Sequence, residues 1–313
     1  MRPVLDPTND PAARQRRSAR ALRTESALTV GLSLVVLTVL WLVFIRLGAA
    51  RQFENFVWES RRVLARRLRV THNDALNLVT ESSMAAGFLG IVVVGVVRRR
   101  IVLGATVAAA VVGAAVSSQV LKRLVISRPP TVGELLRIST NSFPSGHATI
   151  CTSLGLAAIV MTPHRWRRTT TVLAAVWVVY QAIGVLAAGW HRPSDALAGY
   201  ALALTWMSAA VWLLAVTGRA APDAEEADRV GSVQRLLGAV ALVSVVVLGV
   251  AVQVGGDPTM SWAGAAYVGA CLTIIAAGVA VVWWFWLMLH DWTLDERTPR
   301  DDRQTRDDAV RSA

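Results

Sequence analysis

The chain has 313 residues, 54% of them hydrophobic, with a mean hydropathy of +0.47 and a formal net charge of +11. A soluble domain of this length builds a core with far fewer apolar residues, so the composition excludes an ordinary water-soluble protein. The positive charge is not a nucleic-acid signature either, because the arginines punctuate long apolar runs instead of gathering into one basic face.

A helix needs about 20 mostly apolar residues to cross the hydrocarbon layer. Eight stretches meet or approach that length: 27–45, 75–97, 101–121, 145–162, 171–190, 196–217, 236–254 and 263–289. The predicted fold class is therefore an all-α integral membrane protein. A six-span core over 27–217 is followed by a linker at 218–235 and two additional spans within 236–289. The polar ends, 1–26 and 290–313, read as disordered tails. The first apolar run reads as an uncleaved anchor rather than a signal peptide ending near Leu47–Ala50.

Short arginine-rich loops stay cytoplasmic. With the tail bearing Arg14, Arg16, Arg17, Arg20 and Arg23 inside, the inside segments are 98–100, 163–170, 218–235 and the chain after 289, and all carry arginine. The outside loop 255–262 carries none. Both termini are then cytoplasmic. The stretch 46–74 departs from the rule, since it falls outside yet holds Arg51, Arg61, Arg62, Arg66, Arg67 and Arg69. Phe53, Phe56, Trp58, Val63, Leu64 and Leu68 recur there at roughly helical spacing, which predicts an amphipathic helix lying in the membrane interface. A solvated charged loop is the alternative. Cys151 and Cys271 both fall inside predicted spans, and their spacing suggests packing rather than a metal site or a disulfide. The arginine-dominated, Ala- and Val-rich usage is that of a GC-rich bacterial genome, hence a plasma membrane.

Three stretches gather the chemistry. The first runs from Lys122, the only lysine in the chain, to Arg128 and the pair Pro129–Pro130. A compact ammonium is a common phosphate partner, and a snorkelling helix-end residue is the bland reading. The second is "PSGH", residues 144–147, at the opening of the fourth span. A helix N-terminus presents unpaired N–H groups and a positive dipole end, which suits an anion. Gly146 would let a backbone amide approach it, and Ser145 would offer a hydroxyl or simply cap the helix. The third is "HRPSD", where His191 and Asp195 stand four apart around a proline suited to a helix start. A carboxylate on one ring nitrogen fixes the tautomer and leaves the other nitrogen as base or nucleophile. Two crossings separate the second stretch from the third, so both emerge on one side, the outside. Two histidines, an aspartate and cations around a helix N-terminus are parts for phosphoryl transfer. The arrangement calls for no metal and no cofactor.

These residues resemble the type 2 phosphatidic acid phosphatase superfamily, whose pattern is a lysine-to-Arg-Pro motif, then PSGH, then an arginine-bearing motif ending in His-x-x-x-Asp. The resemblance covers roughly 27–217 and implies a role for each residue. Lys122, Arg128, Ser145 and the Gly146 amide would hold the phosphate. His147 would be the general acid, His191 the nucleophile that becomes a phosphohistidine, and Asp195 the residue that orients His191. Intramembrane Glu81 would pair with an arginine near the site, contact a headgroup, or be satisfied by neighbouring helices.

Two departures from the pattern stand out. Five residues, not six, separate Lys122 from Arg128, and Gly184 and Val185 occupy the places of the third motif's Ser-Arg pair. Losing one transition-state donor can cost about a hundred- to a thousandfold in rate. Arg192, Arg123 or Arg137 would be the substitute. The expectation is a bilayer-embedded hydrolase of a lipid phosphate or diphosphate, such as phosphatidate, phosphatidylglycerol phosphate or a polyprenyl diphosphate, with its site facing outside. Its alternatives are a phosphotransferase to an acceptor other than water and a non-catalytic lipid-phosphate binder with a degenerate site.

Overall fold

The computed structural model describes residues 11–68, 81–129, 141–222 and 262–294. Within them lie α1 (Pro11–Trp41), which runs on through a π-helical turn at Leu42–Arg46, and α2 (Gly48–Leu68). Next come α3 (Glu81–Val97) and α4 (Ile101–Val120), the latter closed by a second π-helical turn at Leu121–Val125. After these follow α5 (Gly146–Met161), α6 (His164–Ala187), α7 (Pro193–Val216) and α8 (Trp262–Leu289). A two-stranded antiparallel ribbon pairs β1 (Ala220–Pro222) with β2 (Trp292–Leu294).

Five of the described helical stretches are long and apolar enough to cross a membrane: Ala19–Arg46, Ile101–Val125, His164–Ala187, Pro193–Val216 and Trp262–Leu289. Ser82–Val97 and Gly146–Met161 are apolar but shorter. Leu32, Val93, Val172, Leu173 and Val176 stay exposed on the outer helix faces, which hydrocarbon tolerates and water does not. The protein is thus an all-α integral membrane protein. The predicted span 236–254, Arg137, and most of the linker and the C-terminal tail lie outside the described residues.

Helix α7 is central, packed against α1, α4, α5 and α8. Its buried Met207, Val211 and Leu214 join Leu156, Ala157 and Ile159 of α5 in the main core. Small residues set how closely the helices approach. A Cβ added at Gly199 of α7 would stand 2.9 Å from the Ala148 Cβ and 3.0 Å from the Ser145 carbonyl oxygen. That contact draws the N-terminal ends of α5 and α7 together, and these ends carry His147 and Asp195.

The structure revises two helix boundaries and details one amphipathic helix. Helix α1 begins at Pro11, so residues 11–26, expected as a disordered tail, are helical. The Ala-, Arg- and Gln-rich stretch has high helix propensity, Leu22 is buried, and Arg23 Nε donates to the Ala215 carbonyl 3.0 Å away at the end of α7. Helix α6 begins at His164, where 163–170 was expected to be a loop. Arg167 there is buried and donates to the Leu289 and Trp292 carbonyls at 2.8 and 2.7 Å, capping α8. The amphipathic stretch is helical as α2, with Phe56 of the marked residues packed on the core. Glu54, Val57 and Ser60 are buried while Phe53 is exposed, because α2 packs against α8 and against the loop that precedes α7.

Candidate active site

The N-terminus of α5 is assembled by local hydrogen bonds. Ser145 is the extended N-cap, and its hydroxyl accepts from the Ala148 amide at 3.3 Å. The Ser145 amide in turn donates to the Asp195 carbonyl at 2.8 Å, tying α5 to α7. Asn141 fixes the approach from α4: its Nδ2 donates to the carbonyls of Lys122 (3.0 Å) and Ile126 (2.6 Å), and its Oδ1 accepts from the Phe143 amide at 3.1 Å. At Gly146 an added Cβ would come within 3.1 Å of Gln119 Nε2 and 3.9 Å of Lys122 Nζ. Glycine is what lets the α5 backbone meet the polar end of α4.

The N-terminus of α7 is built around a buried carboxylate. Pro193 occupies the first helical turn, and Asp195 two residues on accepts the Arg192 amide at 2.9 Å through Oδ2. The same oxygen takes the Ser142 hydroxyl at 2.6 Å and faces His191 Nδ1 at 3.4 Å. Oδ1 is reached by Arg128 Nη1 at 3.4 Å. The turn into this segment uses Gly189 at φ +73°, a left-handed conformation open to glycine, with the Arg61 guanidinium packed where a side chain would stand.

His147 and His191 face one another across a cavity of about 530 Å³, with ring centroids 6.3 Å apart. One end of the cavity is polar, formed by Gln119, Lys122, Gly146, His147 and His191. The other is apolar, formed by Phe88 and Met84 of α3, Val111, Val112 and Ala115 of α4, and Ile150 of α5. Exposed Trp190 stands beside His147, its ring centroid 5.5 Å away.

The motif residues divide between the cavity and its support. Lys122, Gly146, His147 and His191 line the cavity, and Asp195 lies fully buried behind His191. Ser145 is also buried and serves as a helix cap. Arg128 is held among side chains: Nη2 pairs with Glu54 Oε2 at 2.7 Å, while Nη1 reaches Asp195 and the Ser142 hydroxyl at 3.4 and 3.5 Å. Arg192 is buried and donates through Nε to Asn55 Oδ1 at 2.7 Å, and Arg123 is exposed. Val185, at the place of the resembled arginine, is fully buried, so that position is filled by apolar packing. The side chain of Glu81 lies outside the described residues, as does Arg137.

Two residues of the site escaped the sequence reading. Gln119 sits three positions before Lys122 on one helix face, a spacing that could have flagged it. Glu54 of α2 accepts Arg128 through one oxygen and the Ser194 amide, at 2.7 Å, through the other. Burial, reinforced by the nearby Asp195 carboxylate, pushes Glu54 up to about 7 against the opposing pull of Arg128 and Ser194. Its only sequence signal was a carboxylate set among arginines.

Fold and site together describe a helical integral membrane protein that gathers two histidines, a buried aspartate and a lysine around one cavity. Residues 101–219 match the family model of the PAP2 superfamily, a stretch that contains Lys122, Arg128, the PSGH tetrapeptide, His191 and Asp195. That match is consistent with a member of the type 2 phosphatidic acid phosphatase superfamily and suggests lipid phosphate hydrolysis. No curated protein and no solved structure matches the chain.

Proposed function

We propose that the protein is a membrane lipid phosphatase that hydrolyses a phosphate or diphosphate monoester of a lipid at the outer face, through a phosphohistidine. One observation carries the reading: two imidazoles stand 6.3 Å apart across a cavity that also holds Lys122 and the first residues of α5.

The chemistry follows from that geometry. Asp195 engages His191 at Nδ1, which leaves Nε2 for in-line attack on phosphorus. The P–O bond to the leaving group breaks as the N–P bond forms, and His147 delivers its proton to the departing oxygen. Lys122 and the positive end of α5 oppose the charge spread over the equatorial oxygens. Water, deprotonated by the now neutral His147, then attacks the phosphohistidine, releases phosphate and restores both imidazoles. Simple binding requires no second imidazole facing a carboxylate-held one, so the pair favours catalysis over a lipid-phosphate binder.

The apolar end of the cavity supports an amphiphilic substrate. From Lys122 back to Val111 along α4 is roughly 16 Å at the helical rise of about 1.5 Å per residue, enough for a dozen or so methylenes. A phosphate between the histidines would leave its chain lying between α3 and α4. The experiment is phosphate release by the purified protein from phosphatidate, phosphatidylglycerol phosphate and polyprenyl diphosphate, with and without chelator, beside His191→Ala. Equal release by the two proteins overturns the mechanism, and a phosphorylated acceptor in place of free phosphate would identify a transferase.

A further inference from the structure

Two buried carboxylates compete for one guanidinium beside the cavity. Arg128 is 2.7 Å from Glu54 but 3.4 Å from Asp195, so Glu54 makes the closer pair. Asp195 is left to the Ser142 hydroxyl, the Arg192 amide and His191. Glu54 also accepts the Ser194 amide, one residue before Asp195 in the first turn of α7. On the same helix Asn55 accepts from Arg192, and Trp58 Nε1 donates to the Gly189 carbonyl at 2.9 Å. Helix α2 therefore grips the segment 189–194 at three points, Ser194, Arg192 and Gly189, around the carboxylate that faces His191.

We propose that Glu54 is a positioning residue of the reaction: it draws Arg128 off Asp195 and fixes the first turn of α7, keeping Asp195 as the partner of His191. The stretch 46–74 is then not only a membrane-surface element, since its first half braces the segment that carries His191 and Asp195. Without the Glu54 charge, Arg128 closes on Asp195 as a bidentate pair, the geometry guanidinium and carboxylate prefer. Asp195 would then be shared away from the imidazole. The charged groups facing this carboxylate are Glu54 from α2, Lys122 from the end of α4, Arg128 from the segment after it, and His191. Protonation of Glu54 has the same effect as its replacement by glutamine, which ties the acid limb of the rate profile to this residue.

The proposal rests on the phosphatase reading for its kinetic readout, and orthovanadate, which binds nucleophilic imidazoles as a pentacoordinate phosphate mimic, supplies a second. Full-length wild type, Glu54→Gln, Glu54→Asp and Phe53→Ala, the last altering the exposed face of the same helix, are compared in detergent. Glu54→Gln is expected to lower kcat at least tenfold with KM within about twofold, to flatten the acid limb of kcat, and to weaken vanadate about tenfold. Glu54→Asp restores part of kcat and the acid limb, and Phe53→Ala leaves all three readouts unchanged. Wild-type kcat, pH profile and vanadate affinity in Glu54→Gln would overturn the proposal. Where Glu54→Gln does not fold, Glu54→Asp carries the test, and an unchanged kcat in it is equally fatal. A wild type that neither releases phosphate nor binds vanadate overturns the phosphatase reading itself, a result distinct from an inert Glu54 substitution in an active enzyme.

Discussion

His191 Nδ1 stands 3.4 Å from Asp195 Oδ2, and that single oxygen also accepts the Ser142 hydroxyl and the Arg192 amide. The carboxylate is fully buried, so its orientation is set by these donors and not by water. A ring nitrogen so engaged carries the proton, and the opposite nitrogen presents its lone pair to the cavity. Asp195→Asn keeps the shape but can turn an N–H toward the imidazole and invert the tautomer. The expected result is a fall in kcat of about a hundredfold or more, with KM much less affected. Initial rates on phosphatidate, alongside a melting curve to verify folding, check this.

The close approach at Gly146 carries a second expectation. Its missing side chain gives Gln119 Nε2 its place at the polar end of the cavity, beside Lys122. An alanine methyl forces Gln119 Nε2 to shift by a few tenths of an ångström or α5 to move back from it, a cost of about 1–3 kcal/mol in a packed site. Gly146→Ala should raise the dissociation constant of inorganic phosphate by about tenfold, measured calorimetrically. Unaltered phosphate affinity would mean that the α5 amides and Lys122 lie away from the bound anion.

The apolar half of the cavity makes a prediction about chain length. Ala115 faces it together with Phe88 and Val112. Ala115→Phe adds a ring to the proposed chain slot without touching a polar residue. KM for long-chain phosphatidate should rise about tenfold, while a six-carbon-chain analogue is turned over as before. Parallel losses for both substrates would place the lipid chain elsewhere.

The residues of the candidate site were legible because their signals are local. PSGH is four consecutive residues, and His191 and Asp195 are four apart across a proline that starts a helix. Five spans among the described residues were legible from apolar length alone, and helices α1 and α6 extend beyond their apolar runs where Arg23 and Arg167 find tertiary partners. Arg167 illustrates this: it reads as a loop arginine until the carbonyls of Leu289 and Trp292, more than 120 residues away, are placed beside it. Glu54 was hidden for the same reason, since Arg128 and Ser194 are distant in the chain and nothing local marks them as partners. Apolar periodicity marked the helix of α2 but not its buried Glu54, because it registers hydrophobic residues and α2 buries a carboxylate.

That buried carboxylate gives the protein a stability signature in pH. The folded state holds Glu54 at about 7, above the ordinary carboxylate value it regains on unfolding, chiefly because burial penalises its charge. Between those two values the native state binds more protons than the unfolded chain. Stability therefore falls as pH rises through this window, with a slope of at most about 1.4 kcal/mol per pH unit from this one group. Below the window the contribution is fully present, and above about 7 it is gone. Glu54→Gln cannot ionise and should flatten the profile between pH values of roughly 5 and 7. Thermal unfolding in detergent across that range, wild type beside Glu54→Gln, measures the difference. Equal slopes would assign the titration to another group, and a wild-type profile that rises with pH would mean that Arg128 and the Ser194 amide outweigh burial and hold Glu54 ionised.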